Sequence, residues 1–256
     1  MIDIHCHILP GIDDGSENLT ETLEMCRLAI ADGITTIVAT PHQQDGVYNN
    51  SSESIRKQVD VVKDALKHED LSLEILPGAD VHIDVHTAEM IQQGEIMTIN
   101  NTGRYFLLEF PAHSIPPNIN KIIFHLLLKN IIPVLTHPER IAEVQDNPSR
   151  VYDLVSTGVL SQITAMSLTG GFGRRAQKCA KTLLKHNLAH IIATDAHSIQ
   201  SRPPILSEAV KVASRIVGQE QATDMVTTIP RYLIKGEAIV NLPSPIPIKR
   251  YFWGLL

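Results

Sequence analysis

Short runs of β-branched and aliphatic residues alternate along this chain with longer amphipathic stretches, and that rhythm restricts the fold more than any other feature. Strand–helix alternation is the pattern of successive β/α units. The runs predict strands at 2–7, 35–40, 73–78, 104–110, 132–136, 160–165 and 190–194. Helices are expected near 18–32, 52–69, 87–93, 117–130, 148–157, 173–187 and 204–217, with Gly33 closing the first and Ser52 with Glu53 opening the second. More helical or irregular chain is expected from 219 to about 237, then a Pro-rich, aromatic tail at about 238–256. No linker-like gap, internal repeat or low-complexity segment interrupts this order. The expectation is therefore one domain spanning 1–256, an α/β chain closing into a barrel.

Composition narrows the function classes. A net charge of −6 and a pI near 6.0 argue against a nucleic-acid partner, which calls for a basic face. Cys6, Cys26 and Cys179 are widely spaced and odd in number, so a disulfide framework is not expected. The first residues lack the basic start and long apolar region of a signal peptide. The apolar run 122–128, broken by His125, is too short to span a bilayer. A cytoplasmic, non-transmembrane enzyme is the expectation.

In a β/α barrel the active site forms at the C-terminal ends of the strands. Nearly every expected strand here ends in a residue able to bind a metal. Asp3-Ile4-His5-Cys6-His7 sends both imidazoles to one side of an extended strand and Cys6 to the other. In the following loop, Asp13-Asp14-Gly15 reads equally well as a turn, while Asp14 lies close enough to the strand mouth to ligate. Pro41-His42 presents one histidine where a strand stops, with a solvated bystander as the alternative. Asp80 and Glu109 each place a carboxylate in apolar company, where a cation, hydrogen-bond donors or an arginine must compensate its charge. Thr136-His137-Pro138-Glu139-Arg140 offers a ligand in His137 and an anion-binding group in Arg140, with a Glu139–Arg140 pair as the alternative. Asp195-Ala196-His197 repeats the alternate-residue arrangement, and Arg202 sits on a stiff Pro-containing loop nearby. Two arginines facing such a cluster suit a phosphate.

These donors are imidazoles and carboxylates, compatible with Mn²⁺, Fe²⁺ or Zn²⁺. They outnumber what one ion needs, so two or three ions are expected, a chemistry that generates hydroxide near neutral pH and suits phosphate-ester hydrolysis. The remaining histidines (His68, His82, His86, His113, His125, His186 and His190) read as structural or solvated, with His82, His86 and His113 nearest the site. A cysteine phosphatase needs an arginine six positions after its nucleophile. Those positions here hold Ile12, Asp32 and Lys185, which excludes that mechanism. Gly170-Gly171-Phe172-Gly173 lacks a P-loop ending and reads as a flexible connection. The aromatic end, Arg250 to Leu256, is expected to dock on the chain's own surface, with a partner or membrane-surface contact as the alternative.

Taken in order, MIDIHCHILPGIDDGSEN, TTIVATPH, LPGAD, LLEFP, PVLTHPER, ATDAHS and SRPP resemble the PHP-superfamily protein-tyrosine phosphatases, the manganese-dependent bacterial enzymes of capsule and exopolysaccharide loci. The resemblance runs from Met1 to about Arg202. It implies a distorted (β/α)7 TIM-like barrel with three ions. His5, His7, Asp80 and Asp195 would hold one; Asp80, Glu109 and His137 a second; Asp14, His42 and His197 the third. Arg140 and Arg202 would bind the phosphoryl group, and a bacterial tyrosine kinase controlling polysaccharide export would be the substrate. Where many members carry a bridging glutamate, this chain has Asp80, one methylene shorter, which implies a closer backbone approach or a weaker bridge. Two other readings are carried forward: a phosphoesterase for a small phosphomonoester such as histidinol phosphate, and a catalytically idle metal-binding interaction domain.

Overall fold

The computed structural model describes residues 1–248, in nine parallel strand segments. In chain order they are β1 (Ile2–Cys6), β2 (Thr36–Ala39), β3 (His42–Gln43), β4 (Glu74–Pro77), β5 (Asp80–His82), β6 (Tyr105–Glu109), β7 (Ile132–Thr136), β8 (Leu160–Thr164) and β9 (Ile191–Ala193). They form two sheets, ordered β1-β2-β4 and β3-β5-β6-β7-β8-β9. β2 pairs with β4 and β3 with β5 in the same sense, so the expected strands at 35–40 and 73–78 are each continued, past a break, by a short upper piece outside their expected bounds. The first break falls at Thr40-Pro41, where proline supplies no backbone donor. The second falls at Gly78-Ala79. The ring closes where the His7 N–H donates to the Ala196 carbonyl and the Asp195 N–H to the His5 carbonyl, each at 2.8 Å. With each broken strand counted once, the result is the seven-stave distorted barrel that the sequence suggests.

Alternation sorts the side chains. Tyr105, Leu107, Val134, Leu160, Ile191 and Ala193 join Ile2, Ile4 and Val38 in one buried cluster inside the ring. The same-face positions further along become Glu109, Gln162 and Asp195, so the apolar interior gives way to polar side chains towards the strands' C-terminal ends. A register shift between Asp3 and Cys6 lets both Ile4 and His5 serve the interior, which strict alternation forbids. Outward-facing residues of the strands pack under the helices in a larger cluster. Helix Ser52–His68 buries Ile55, Val59, Val62 and Leu66, a stripe at helical spacing that stabilises by roughly 1.5–3 kcal/mol per side chain. Its cap is Ser51, one residue before the expected Ser52, whose side chain accepts the Ser54 N–H at 3.1 Å.

After residue 217, helices Gln219–Asp224 and Thr228–Lys235 follow, and Ile229 and Leu233 of the second join the interior cluster. Part of the Pro-rich segment lies against the body: the Ile246 N–H donates to the His186 carbonyl at 2.8 Å and Asn187 Nδ2 to the Ser244 carbonyl at 3.0 Å. The aromatic end from Arg250 to Leu256 lies outside the described residues. Among the described residues no helix is long and apolar enough to cross a membrane.

Helix Ser207–Val217 lacks a side-chain cap of its own. Asp32, at the end of helix Leu19–Ala31, supplies one through space, accepting the Leu206 and Ser207 N–H groups at 2.7 and 3.0 Å and the Ser207 hydroxyl at 2.5 Å. A carboxylate here also meets the positive end of the helix dipole. Asp32→Ala is therefore expected to cost about 1–3 kcal/mol and to lower the thermal midpoint by several degrees. An unchanged midpoint would contradict this capping role.

Candidate metal centre

Nine side chains from the upper ends of the staves and their loops converge on one end of the barrel. His5 and His7 are fully buried, their Nε2 atoms 3.2 Å apart. Each ring is held from behind: His5 Nδ1 lies 3.0 Å from Gln162 Oε1, and His7 Nδ1 lies 2.8 Å from Asp13 Oδ2. This is how an imidazole is oriented to present its other nitrogen to an ion. Cys6 faces the other way, into the outer core, as the strand geometry predicts.

Asp13 thus does more than make a turn. Its carboxylate accepts the Gly15 N–H at 3.0 Å and the His42 N–H at 3.2 Å while fixing His7. The loop can lie this close only because residue 15 is glycine: a Cβ there would sit 2.0 Å from the His7 carbonyl oxygen. Neighbouring Asp14, half exposed, reaches His197 Nε2 at 3.4 Å and His42 Nε2 at 3.5 Å. The contact with His197 holds its carboxyl well below the usual range.

Asp80 is buried and central. Its Oδ2 lies 3.4 Å from His5 Nε2 and 3.9 Å from both His42 Nδ1 and His137 Nε2. Just before Asp80 the stave leans on β2, where a Cβ on Gly78 would meet Val38 Cγ1 at 2.6 Å. Glu109 faces His42 Nδ1 at 3.4 Å and His137 Nε2 at 3.6 Å. It also faces His82 Nδ1 at 3.4 Å, which puts that histidine beside the cluster, whereas His86 and His113 are exposed. His137 and Asp195 both adopt left-handed backbone, with φ of +33° and +52°, immediately past their strands. Non-glycine residues held there cluster at functional sites.

Asp195 is shared between two groups of partners. Its Oδ1 lies 3.4 Å from His5 Nε2, 3.5 Å from His7 Nε2 and 3.7 Å from His197 Nδ1. Its Oδ2 accepts from both Arg140 and Arg202. Asp3 steadies this residue from below by accepting the Thr194 N–H at 3.0 Å. Glu139 does not pair with Arg140 in the alternative way: it is buried, accepting the Thr164 N–H at 2.9 Å and the Ser167 hydroxyl at 2.6 Å.

Electrostatics match a cation site. Burial disfavours charge on His7, yet the bond to Asp13 and the nearness of Asp195 push it up to about 10. Burial likewise opposes charge on His5, while Asp80 and Asp195 raise it. His137 is driven the other way, to about 3, by burial and by Arg140, so it stands neutral with a lone pair to donate. Both oxygens of Asp80, together with His42 Nδ1, His82 Nδ1 and Glu109 Oε2, are buried without a hydrogen-bond partner. Orphaned donor atoms of this kind, converging in one place, call for positive charge. Three subsets come within 4.8 Å internally: His7, Asp14, His42 and His197; His5, His7 and Asp80; His42, Asp80 and Glu109. They resemble the implied partition, with His7 and His42 each reaching towards a second group and His137 standing beside the third.

Fold and site together define a β/α-barrel protein whose clustered imidazoles and carboxylates, able to hold metal ions, stand beside two arginines. The family model for capsular polysaccharide synthesis, CpsB/CapC, matches residues 1–235, and the chain belongs to that family. It is 39% identical over 250 residues to the tyrosine-protein phosphatase YwqE of Bacillus subtilis, covering 98% of this chain and 97% of that one. It is 30% identical over 244 residues to the tyrosine-protein phosphatase CpsB of Streptococcus pneumoniae, covering 93% and 100%. A crystal structure from the work on YwqE and CpsB, described as unique metal-dependent tyrosine phosphatases, superposes with a TM-score of 0.93 at 38% identity, over 98% of this chain and 100% of that one. A β-aspartyl dipeptidase from Fervidobacterium islandicum, at TM-score 0.54 and 17% identity over 92% of this chain and 75% of its own, shares the fold alone.

Proposed function

We propose that this chain is a cytoplasmic, one-domain, metal-dependent protein-tyrosine phosphatase, and that its substrate is a phosphotyrosine-bearing bacterial tyrosine kinase of polysaccharide export. The relatives' activity supports the reaction class. The observation that carries the site assignment is the division of Asp195, one oxygen among imidazoles and the other on two guanidinium groups. That carboxylate ties the ion site to an anion clamp, and a phosphate monoester needs both side by side.

The residues divide the work as follows. His5, His7, Asp80 and Asp195 would hold one ion, Asp80, Glu109 and His137 another, and Asp14, His42 and His197 a third. Manganese is the metal we propose, and the donor set is also compatible with Fe²⁺ or Zn²⁺. When bound, the ions supply a water nucleophile at neutral pH and positive charge for the phosphoryl oxygens. Arg140 and Arg202 take the phosphoryl oxygens in competition with Asp195, and the planar guanidinium fork fixes their orientation. Arg202 Nε is buried with no hydrogen-bond partner. Gln162 and Asp13 keep the two central imidazoles aimed inward throughout.

With Mn²⁺ present, phosphate release from a phosphotyrosyl peptide is expected to outpace release from a phosphoseryl peptide or from histidinol phosphate. Equal rates, or faster release from histidinol phosphate, would replace the tyrosine assignment with the small-phosphomonoester reading. No release from any of them would leave an idle metal-binding domain.

A further inference from the structure

The Gly170-Gly171-Phe172-Gly173 segment is not a slack connection. Gly170 ends helix Ala165–Thr169 with φ of +100°, and Gly173 opens helix Gly173–Lys185 with φ of +85°. The Gly170 and Gly171 N–H groups both donate to the Met166 carbonyl, at 3.0 and 2.8 Å, and the Gly173 N–H donates to the Gly170 carbonyl at 3.0 Å. Two left-handed glycines and three hydrogen bonds make a rigid corner with a single large side chain, Phe172, at its tip.

That ring meets both arginines of the proposed clamp. The Arg140 Cζ lies 4.5 Å from its centroid and the Arg202 Cζ 5.6 Å. The two guanidinium groups reach one carboxylate oxygen of Asp195, so two like charges are crowded together. An aromatic face attracts cations at these distances. It also restrains planar guanidinium groups without occupying their donors, because the attraction comes through the ring face and leaves the N–H groups free. Phe172 is only half-buried, which core packing does not require of a phenylalanine.

We propose that Phe172 is a positioning residue of the phosphoryl site, a shared aromatic platform that holds Arg140 and Arg202 together in the orientation an anion needs. The inference rests on the reading that these arginines bind the phosphoryl group. Asp195 and Phe172 then restrain the pair from different sides: the carboxylate competes with substrate for the donors, whereas the ring does not. A bound phosphoryl group displaces the first restraint and keeps the second.

The test is the affinity of the Mn²⁺-loaded protein for inorganic phosphate, read by calorimetry on wild type, Phe172→Leu, Phe172→Tyr and Arg140→Ala, with thermal unfolding recorded for each. Phe172→Leu keeps apolar bulk and loses the aromatic face, and it is expected to weaken phosphate binding by about threefold to thirtyfold. Its KM for a phosphotyrosyl peptide should rise by a similar factor, its kcat should change less, and its unfolding midpoint should hold. Phe172→Tyr restores the aromatic face and should restore wild-type affinity. The inference is overturned if Phe172→Leu binds phosphate as wild type does, or if Phe172→Tyr is as weak as Phe172→Leu. Phosphate affinity that falls in Arg140→Ala but holds in Phe172→Leu defeats this inference alone. Affinity that holds in Arg140→Ala defeats the clamp reading and this inference with it.

Discussion

Asp195→Asn is expected to reduce turnover of a phosphotyrosyl peptide by on the order of a thousandfold or more while leaving the barrel folded. The substitution keeps the size and shape of the side chain but removes its charge. In the native chain that charge is buried, and although burial disfavours it, His5, His7 and Arg202 hold the carboxyl well below its ordinary range. Without it the imidazoles lose an anionic co-ligand, and both arginines lose the group that gathers them. Ion binding therefore fails, and the arginine pair loses one of its two restraints. The backbone contacts that close the barrel at this point, including the bond from the Asp195 N–H to the His5 carbonyl, do not involve the side chain. An Asp195→Asn protein with near-native turnover would show that the carboxylate is incidental; loss of the native circular dichroism spectrum would show a structural role instead.

The second large effect concerns the arginines. Arg140→Ala and Arg202→Lys are each expected to lower kcat/KM by about 10- to 100-fold, the range for charge-assisted hydrogen bonds to a developing anion. Lysine at 202 keeps the charge but not the planar fork, so a loss with that variant separates geometry from simple attraction. Metal content should stay at the wild-type level in both, because neither residue contributes an ion ligand. Steady-state kinetics with metal analysis checks this. Wild-type kcat/KM in both variants, or metal lost along with activity, would contradict the clamp.

The staves are legible in the sequence because each is a short, largely apolar run set between longer amphipathic stretches, and every one of the expected runs contains an observed strand. The breaks were not, since pairing of His42 with Asp80 across Pro41 depends on the neighbouring stave and not on local propensity. The register shift in β1 was equally hidden: period-two alternation explains why His5 and His7 agree, but not why Ile4 also points inward. Among site residues, those at strand ends could be found because a barrel fixes where strand ends meet. The roles of Asp13, Gln162 and Phe172 are not legible in the sequence, for separate reasons. Asp13 sits in a sequence that turns demand anyway. Gln162 carries a signal, a polar side chain two residues after Leu160 on the inner face of its strand, that only gains meaning beside His5. Phe172 lies among glycines whose left-handed conformations are needed before its position can be inferred.

The central claim, a metal-dependent enzyme selective for phosphotyrosine, is tested most directly by one ratio. This is kcat/KM for a phosphotyrosyl peptide over that for the matching phosphoseryl peptide, measured on protein stripped by chelation and again after Mn²⁺ is restored. The account predicts no turnover of either peptide after stripping, recovery on adding Mn²⁺, and a ratio well above one in the restored enzyme. Turnover that survives chelation, or a restored ratio near one, would contradict it.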